Sequence, residues 1–168
     1  MDADAKKTAL RMIPYGLYVL TAADKGGRMT AATINWVTQC SFVPPLVAIG
    51  VKADSQTHAV IDEAKEFVLN VIGKDDNAVA FAFFKPAAVE GGTIGGEPFT
   101  PGAVVKAPVL EKAPAHVECR VVDAVRRGDH TFFVGEVVEA RVKTPPAGRA
   151  DEAICWLKDL GDRVYYGG

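Results

Sequence analysis

The chain has 168 residues, 49% of them hydrophobic and 24% charged, which is enough apolar material for one packed domain and too much for a disordered segment. Nineteen Lys and Arg against 21 Asp and Glu leave a formal charge of −2. That balance excludes a general nucleic-acid binder, which needs a basic face to displace counterions, and a polybasic membrane-surface segment.

The N-terminus, MDADAKKTAL, places acids before its lysines and is followed by no apolar run, so it does not read as a signal peptide. The longest apolar run, near Leu46–Val51, falls far short of the ~20 residues of a spanning helix. Cys40, Cys119 and Cys155 are odd in number and lack CxxC spacing, as free thiols in a reducing cytoplasm would be.

Tyr15 to Ala22 is rich in aromatic and branched residues and ends at the turn composition Asp24-Lys25-Gly26-Gly27. That predicts a hairpin into a second strand through Met29 to Trp36. Leu46 to Val51, behind Pro44-Pro45, is a short unbroken apolar run, the pattern of a strand buried on both faces. From Ser55 to Glu66 the period changes: Val60, Ile61 and Ala64 share a helical face, with Ser55 or Thr57 as N-cap. Glu66 to Ile72 returns to a strand, and Asn77 to Phe84 reads as a second short helix. Lys85 to Ala103, with Gly91-Gly92 and Gly95-Gly96, reads as a loop too long for a mere connector.

The C-terminal half holds the clearest alternation. Val117, Cys119 and Val121 alternate with Glu118 and Arg120 across Ala115 to Val122, which predicts one buried and one wet face. Arg127-Gly128-Asp129 turns the chain, and His130 to Val142 runs back as a long strand until Thr144-Pro145-Pro146. Ala150 to Leu160 reads as helical and Arg163 to Tyr166 as a final short strand. No repeat or linker divides residues 1–168. The sum is mainly β, an antiparallel barrel with two or three peripheral helices. A doubly wound sheet fits poorly, because strands and helices do not alternate regularly.

Two segments carry polar chemistry. Met29 to Pro45 offers Thr30, Thr33, Asn35, Thr38, Gln39, Cys40 and Ser41 around Trp36, small groups suited to the polar edge of a flat heteroaromatic ligand. Lys52 to His58 supplies one cation and the hydroxyls of Ser55 and Thr57 at a predicted helix N-terminus, a natural anion site. Taken alone, those hydroxyls serve equally well as helix caps.

The ordered set T-x-N-W-x-T-x-x-S-x-x-P-P (Thr33 to Pro45), K-x-x-S-x-T-H (Lys52 to His58), F-x-x-N-V (Phe67 to Val71), E-C (Glu118-Cys119) and G-D-H-T-x-F-V-G-E-V (Gly128 to Val137) resembles the flavin reductase-like, FMN-binding split-barrel family. The resemblance runs from about Ile13 to Val142. It implies a split β-barrel of Greek-key-like antiparallel strands, a homodimer, bound FMN, and NAD(P)H as electron donor. Electrons would leave to free flavin, ferric iron or a redox partner protein. Carried over by position, Thr33, Ile34, Asn35 and Trp36 would lie along the flavin, and Thr38, Gln39, Cys40 and Ser41 would face its ring. Lys52, Ser55 and Thr57 would hold the phosphate. Trp36 stands where many flavin reductases carry a serine, which favours tight retention of the cofactor and the alternative of a flavoredoxin-like electron carrier.

His130 opens a strand after a tight turn, often a structural hydrogen-bonding position; the resemblance implies a nicotinamide-binding role, with Asp129 orienting the ring or holding the turn. His116-Val117-Glu118 superficially matches the H-x-E of zinc deaminases, but no P-C-x-x-C follows. The glycine pairs form neither G-x-G-x-x-G nor a P-loop, so NAD(P)H must share the flavin cleft. Cys40 reads as a pocket-lining thiol, and Cys119 and Cys155 as core. The loop carrying Phe99 is a candidate lid, and Tyr165 and Tyr166 are candidates to pack near the cleft.

Overall fold

A computed structural model describes residues 1–167. A helix α1 (Ala3–Arg11) precedes the sheet, capped by the Asp2 carboxylate and burying none of its residues. It was not legible in the apolar pattern because it has no apolar face to bury. Strands β1 (Tyr18–Ala23) and β2 (Met29–Ile34) form the expected hairpin. The second strand stops two residues short of Trp36, and a separate strand β3 (Val37–Ser41) follows. Next come β4 (Leu46–Lys52), helix α2 (Gln56–Ala64), β5 (Glu66–Val71) and helix α3 (Asn77–Ala82). Short strands β6 (Val89–Glu90), β7 (Thr93–Ile94), β8 (Glu97–Pro101) and β9 (Pro108–Leu110) lead to the long pair β10 (Ala115–Arg127) and β11 (His130–Val142).

Seven strands make one antiparallel sheet in the order β2-β1-β5-β10-β11-β4-β3. Its two edge strands, β2 and β3, are separated along the chain by Asn35 and Trp36 alone. Three Cα steps reach at most about 11 Å, so the sheet must curl until its edges meet. The result is a split β-barrel, and the dipeptide Asn35-Trp36 spans the split. Leu20, Ile49, Ile61, Phe67, Leu69, Cys119 and Phe133 fill the interior, and α2 packs into it with Val60 and Ile61. A second cluster, including Leu17, Val19, Ile72, Val79, Phe83, Ile94 and Cys155, packs the other side of β1.

Three expectations are corrected. Residues 85–103 are not loop: β6, β7 and β8 lie in a small four-stranded sheet with β9. Gly91 and Gly92 both take positive φ, as a two-residue hairpin demands, and the strands are too short to display a period. Residues 150–160 are not one helix. Two 3-10 turns, η1 (Ala150–Glu152) and η2 (Leu157–Leu160), flank an extended piece that bridges Gly16 through Trp156 and Gly73 through Ile154. Long-range hydrogen bonds, Leu17 N–H to Cys155 O (2.9 Å) and Cys155 N–H to Ile72 O (2.8 Å), take the place of helical ones. Residues 163–166 form no strand.

Glu118 also departs from the wet face assigned to it. It is fully buried, and its carboxylate accepts the backbone N–H groups of Ala103 (2.8 Å), Val104 (2.8 Å) and Val105 (2.6 Å). Burial pushes its pKa up, but the three donors outweigh that and hold it below the usual glutamate value. Gly102 packs so close to Glu118 that a Cβ would sit 2.8 Å from the carboxylate and 2.2 Å from Val105 O. Asn70, likewise buried, accepts from Leu110 N–H (2.8 Å) and donates to Val19 O (3.2 Å). These two side chains fasten the chain between β8 and β9, and β9 itself, onto the barrel.

Candidate functional site

The split opens into a cavity of about 440 Å³. Lys52, Ser55 and Thr57 line it at the start of α2, Asn35 lines it beside Tyr166, and Leu17, Phe83, Phe84, Leu157, Val164 and Tyr165 supply apolar and aromatic wall. That volume lies within the ~300–1,000 Å³ of small-molecule sites, and the division into one polar end and one apolar slot suits a phosphorylated planar ligand.

At the polar end, the Ser55 hydroxyl accepts from His58 N–H (3.1 Å) as N-cap and donates to Lys52 O (2.7 Å). The first N–H groups of α2 have no acceptor within the helix and face a positive dipole end. Thr57 is buried and paired with Thr30 through their hydroxyls (2.8 Å). Lys52 is exposed and pairs with Asp54 (3.1 Å), a contact that solvent makes weak and exchangeable. Thr33 donates its hydroxyl to Ala80 O (2.7 Å), tying β2 to α3, while Asn35 donates to Tyr166 O (3.2 Å).

Behind Tyr166 stands a compact aromatic group. Trp36 and His130 lie 4.4 Å apart between ring centroids, and Trp36 and Tyr166 5.7 Å apart. Gly50 makes room for this: a Cβ there would sit 2.9 Å from the indole. The His130 Nδ1 faces Asp129 (2.8 Å) and its Nε2 faces the Tyr166 hydroxyl (2.9 Å). Hydrogen bonding to His130 first, and its charge second, hold the Asp129 carboxyl below its usual range, so it acts as acceptor. Nδ1 therefore donates to Asp129, and Nε2 shares a second hydrogen bond with the Tyr166 hydroxyl, whose phenol burial pushes up.

The structure thus brings Thr33, Ile34, Asn35, Lys52, Ser55 and Thr57 to one cavity. Trp36 and His130 stand behind its rim, the His130 side chain only 11% exposed. Thr38, Gln39, Cys40 and Ser41 are not gathered there. They lie on the edge strand β3, where Thr38 and Gln39 line a separate groove with Tyr18, Val47 and Val137. Cys40 is exposed and lines neither cavity. Phe99 packs against the second core cluster and does not line the cavity. His58 turns inward to Thr131 (2.8 Å) and the Phe133 ring. Phe83, Phe84 and Leu157 were missed as cavity walls; the dense aromatics of FAFF at 81–84 were the available signal.

The family model described as "Flavin reductase like domain" matches residues 10–158. The chain belongs to the flavin reductase-like family. It is 36% identical over 132 residues to the reductase component of a 4-nitrophenol 4-monooxygenase/4-nitrocatechol 2-monooxygenase from Rhodococcus opacus, covering 77% of this chain and 66% of that protein. It is 33% identical over 141 residues to an NADH:riboflavin 5′-phosphate oxidoreductase of Streptomyces pristinaespiralis, covering 83% and 77%. Among solved structures, the NADH:FAD oxidoreductase of Streptomyces globisporus matches with TM-score 0.69, and its complex with NAD and FAD fragments with TM-score 0.67. The complex is 29% identical and covers 77% of this chain and 76% of that one. The chain is accordingly a flavin oxidoreductase-type enzyme of the split-barrel fold. Among the described residues no helix is long and apolar enough to cross a membrane, and no cluster of His, Cys, Asp and Glu is arranged to hold a metal.

Proposed function

We propose that the cavity at the barrel split binds FMN and that the chain passes reducing equivalents from NAD(P)H through it to free flavin, ferric iron or a protein partner. The observation that carries this reading is the cavity's two-part chemistry, with the Lys52, Ser55 and α2 N-terminus at one end of an apolar, aromatic slot. A bound FMN supplies the two-electron exchange between nicotinamide and acceptor.

The residues contribute binding and position. Lys52 exchanges its Asp54 contact for the phosphate, and the free N–H groups of α2 complete the anion site. Phe83, Phe84 and Leu157 exclude water from the ring. Asp129 fixes His130, and His130 fixes the Tyr166 hydroxyl at the rim, so His130 is a positioning residue for whatever stacks there. A protein acceptor is supported by the Rhodococcus relative, which is named as a reductase component.

We further propose that two copies associate through the β3 edge. Phe42 and Val43 are 85% and 92% exposed there, beside the groove lined by Tyr18, Val47 and Val137. Light scattering at twice the chain mass is the expected result.

The test of the central reading is an absorbance spectrum of freshly purified protein, followed by anaerobic NADH and then NADPH. Flavin bands that bleach within seconds are expected. Bands that persist under both donors would assign a flavoredoxin-like carrier instead. Absence of flavin together with failure to take up added FMN would overturn the reading.

A further inference from the structure

A second cavity, about 410 Å³, lies against the first and shares Leu157, Val164, Tyr165 and Tyr166 with it as a common wall. Its remaining lining joins two distant parts of the chain: the end of α1 and the residues after it, and the η2 segment. Two cations line it, Arg11 and Lys158, and no carboxylate does. Among the described residues neither cation has an ion-pair partner; Arg11 instead lies over the Tyr165 ring, 4.2 Å from its centroid. Tyr15 and Trp156 supply two more aromatic faces, and the indole is fixed by donating Nε1–H to Asp151 O (2.9 Å).

Unpaired cations beside oriented aromatic rings are the recognition chemistry of a nucleotide: guanidinium and ammonium for phosphate, ring faces for a purine. Dispersed surface charge would not explain why both cations stand at one cavity with aromatic walls and no acid. We infer that this cavity is a subsite for the adenosine-phosphate half of a dinucleotide whose other half enters the split cavity across the Tyr165–Tyr166 wall. This rests on the reading of the split cavity as the flavin site. Both FAD and NAD(P)H carry that half, and the chemistry of the subsite is the same for either.

The experiment titrates the full chain with 5′-AMP, FMN and FAD, and measures KM for NADH, in the wild type and in Arg11→Ala/Lys158→Ala. Both substituted side chains are exposed, and retained FMN affinity serves as the control for folding. The expected result is that 5′-AMP binds alongside FMN and that the double variant weakens 5′-AMP about tenfold while FMN changes less than twofold. FAD weakened to the same degree assigns the adenosine half to the flavin; a tenfold rise in KM for NADH with FAD unchanged assigns it to the donor. Unchanged 5′-AMP, FAD and NADH values, or 5′-AMP displaced by FMN, would overturn the subsite. Failure of FMN to bind the wild type would instead overturn the flavin reading, and 5′-AMP binding would still report on this cavity.

Discussion

Two polar regions of this barrel use similar residue types to opposite ends. At the far side, Asn70 and Glu118 are buried, and every polar contact they make is to other parts of the same chain. At the split, Asn35 uses one amide N–H on Tyr166 O and Lys52 makes one exposed ion pair, so both leave donors to spare, and the first N–H groups of α2 beside Ser55 have no acceptor within the helix. The difference is one of satisfaction. A saturated buried group fastens structure, because breaking it strands several partners in a dry place; a half-used group at a cavity rim is available to a ligand.

The largest effect should come from the fastening side. Glu118→Gln replaces a carboxylate facing three N–H donors with an amide that has one acceptor oxygen. Its unfolding free energy should fall by about 3 kcal/mol in a urea melt, since at least one donor loses its partner. The pH dependence has a definite sign. A glutamate held below its usual pKa contributes stability above the unfolded value of ~4.3 and loses it as pH falls through the folded value. The acid limb of the stability curve should therefore flatten in the Gln variant. An unchanged melt would erase the contrast between the two regions.

The split should answer differently. Lys52→Ala with Ser55→Ala should weaken FMN about 30-fold, roughly 2 kcal/mol, and leave riboflavin unaffected. The cost to folding should be only about 1 kcal/mol, from loss of the α2 N-cap. Equal weakening of both ligands in parallel titrations would remove the phosphate from this end of the cavity.

A smaller effect separates position from fastening at His130. His130→Ala frees the Tyr166 hydroxyl, and KM for NADH should rise about tenfold, or 1.4 kcal/mol, with FMN affinity and kcat held. Partial recovery in His130→Gln, which can again meet the Tyr166 hydroxyl, would sharpen the assignment. A loss of stability without any change in KM would return the histidine to a structural role.

The barrel was legible because residues 115–122 alternate ahead of a turn and a second long apolar run, and because the β1–β2 turn carries the residues such turns need. The gathering of Lys52, Ser55 and Thr57 at one cavity was legible as well, because a cation and a helix cap lie close in sequence. What stayed hidden depends on distant partners. Glu118 alternates as a wet residue should, and nothing near it announces that residues 103–105 will deliver three N–H groups. Residues 150–160 have apolar spacing compatible with a helix, yet Gly16 and Gly73 claim their backbone. Thr38 to Ser41 sit beside Thr33 to Trp36 in the chain, but the curl of the sheet sends them to the other edge of the split.

The three sulfur atoms make the molecule its own unfolding gauge. Cys40 is open to a thiol reagent in the native state, whereas burial pushes the Cys119 thiol up to about 12 and the Cys155 thiol up to about 11, so neither offers a reactive thiolate. Cys119 belongs to the barrel interior and Cys155 to the cluster outside it. As denaturant rises, the order in which the second and third sulfurs become modifiable tells which of the two packed clusters opens first, with no label added to the chain.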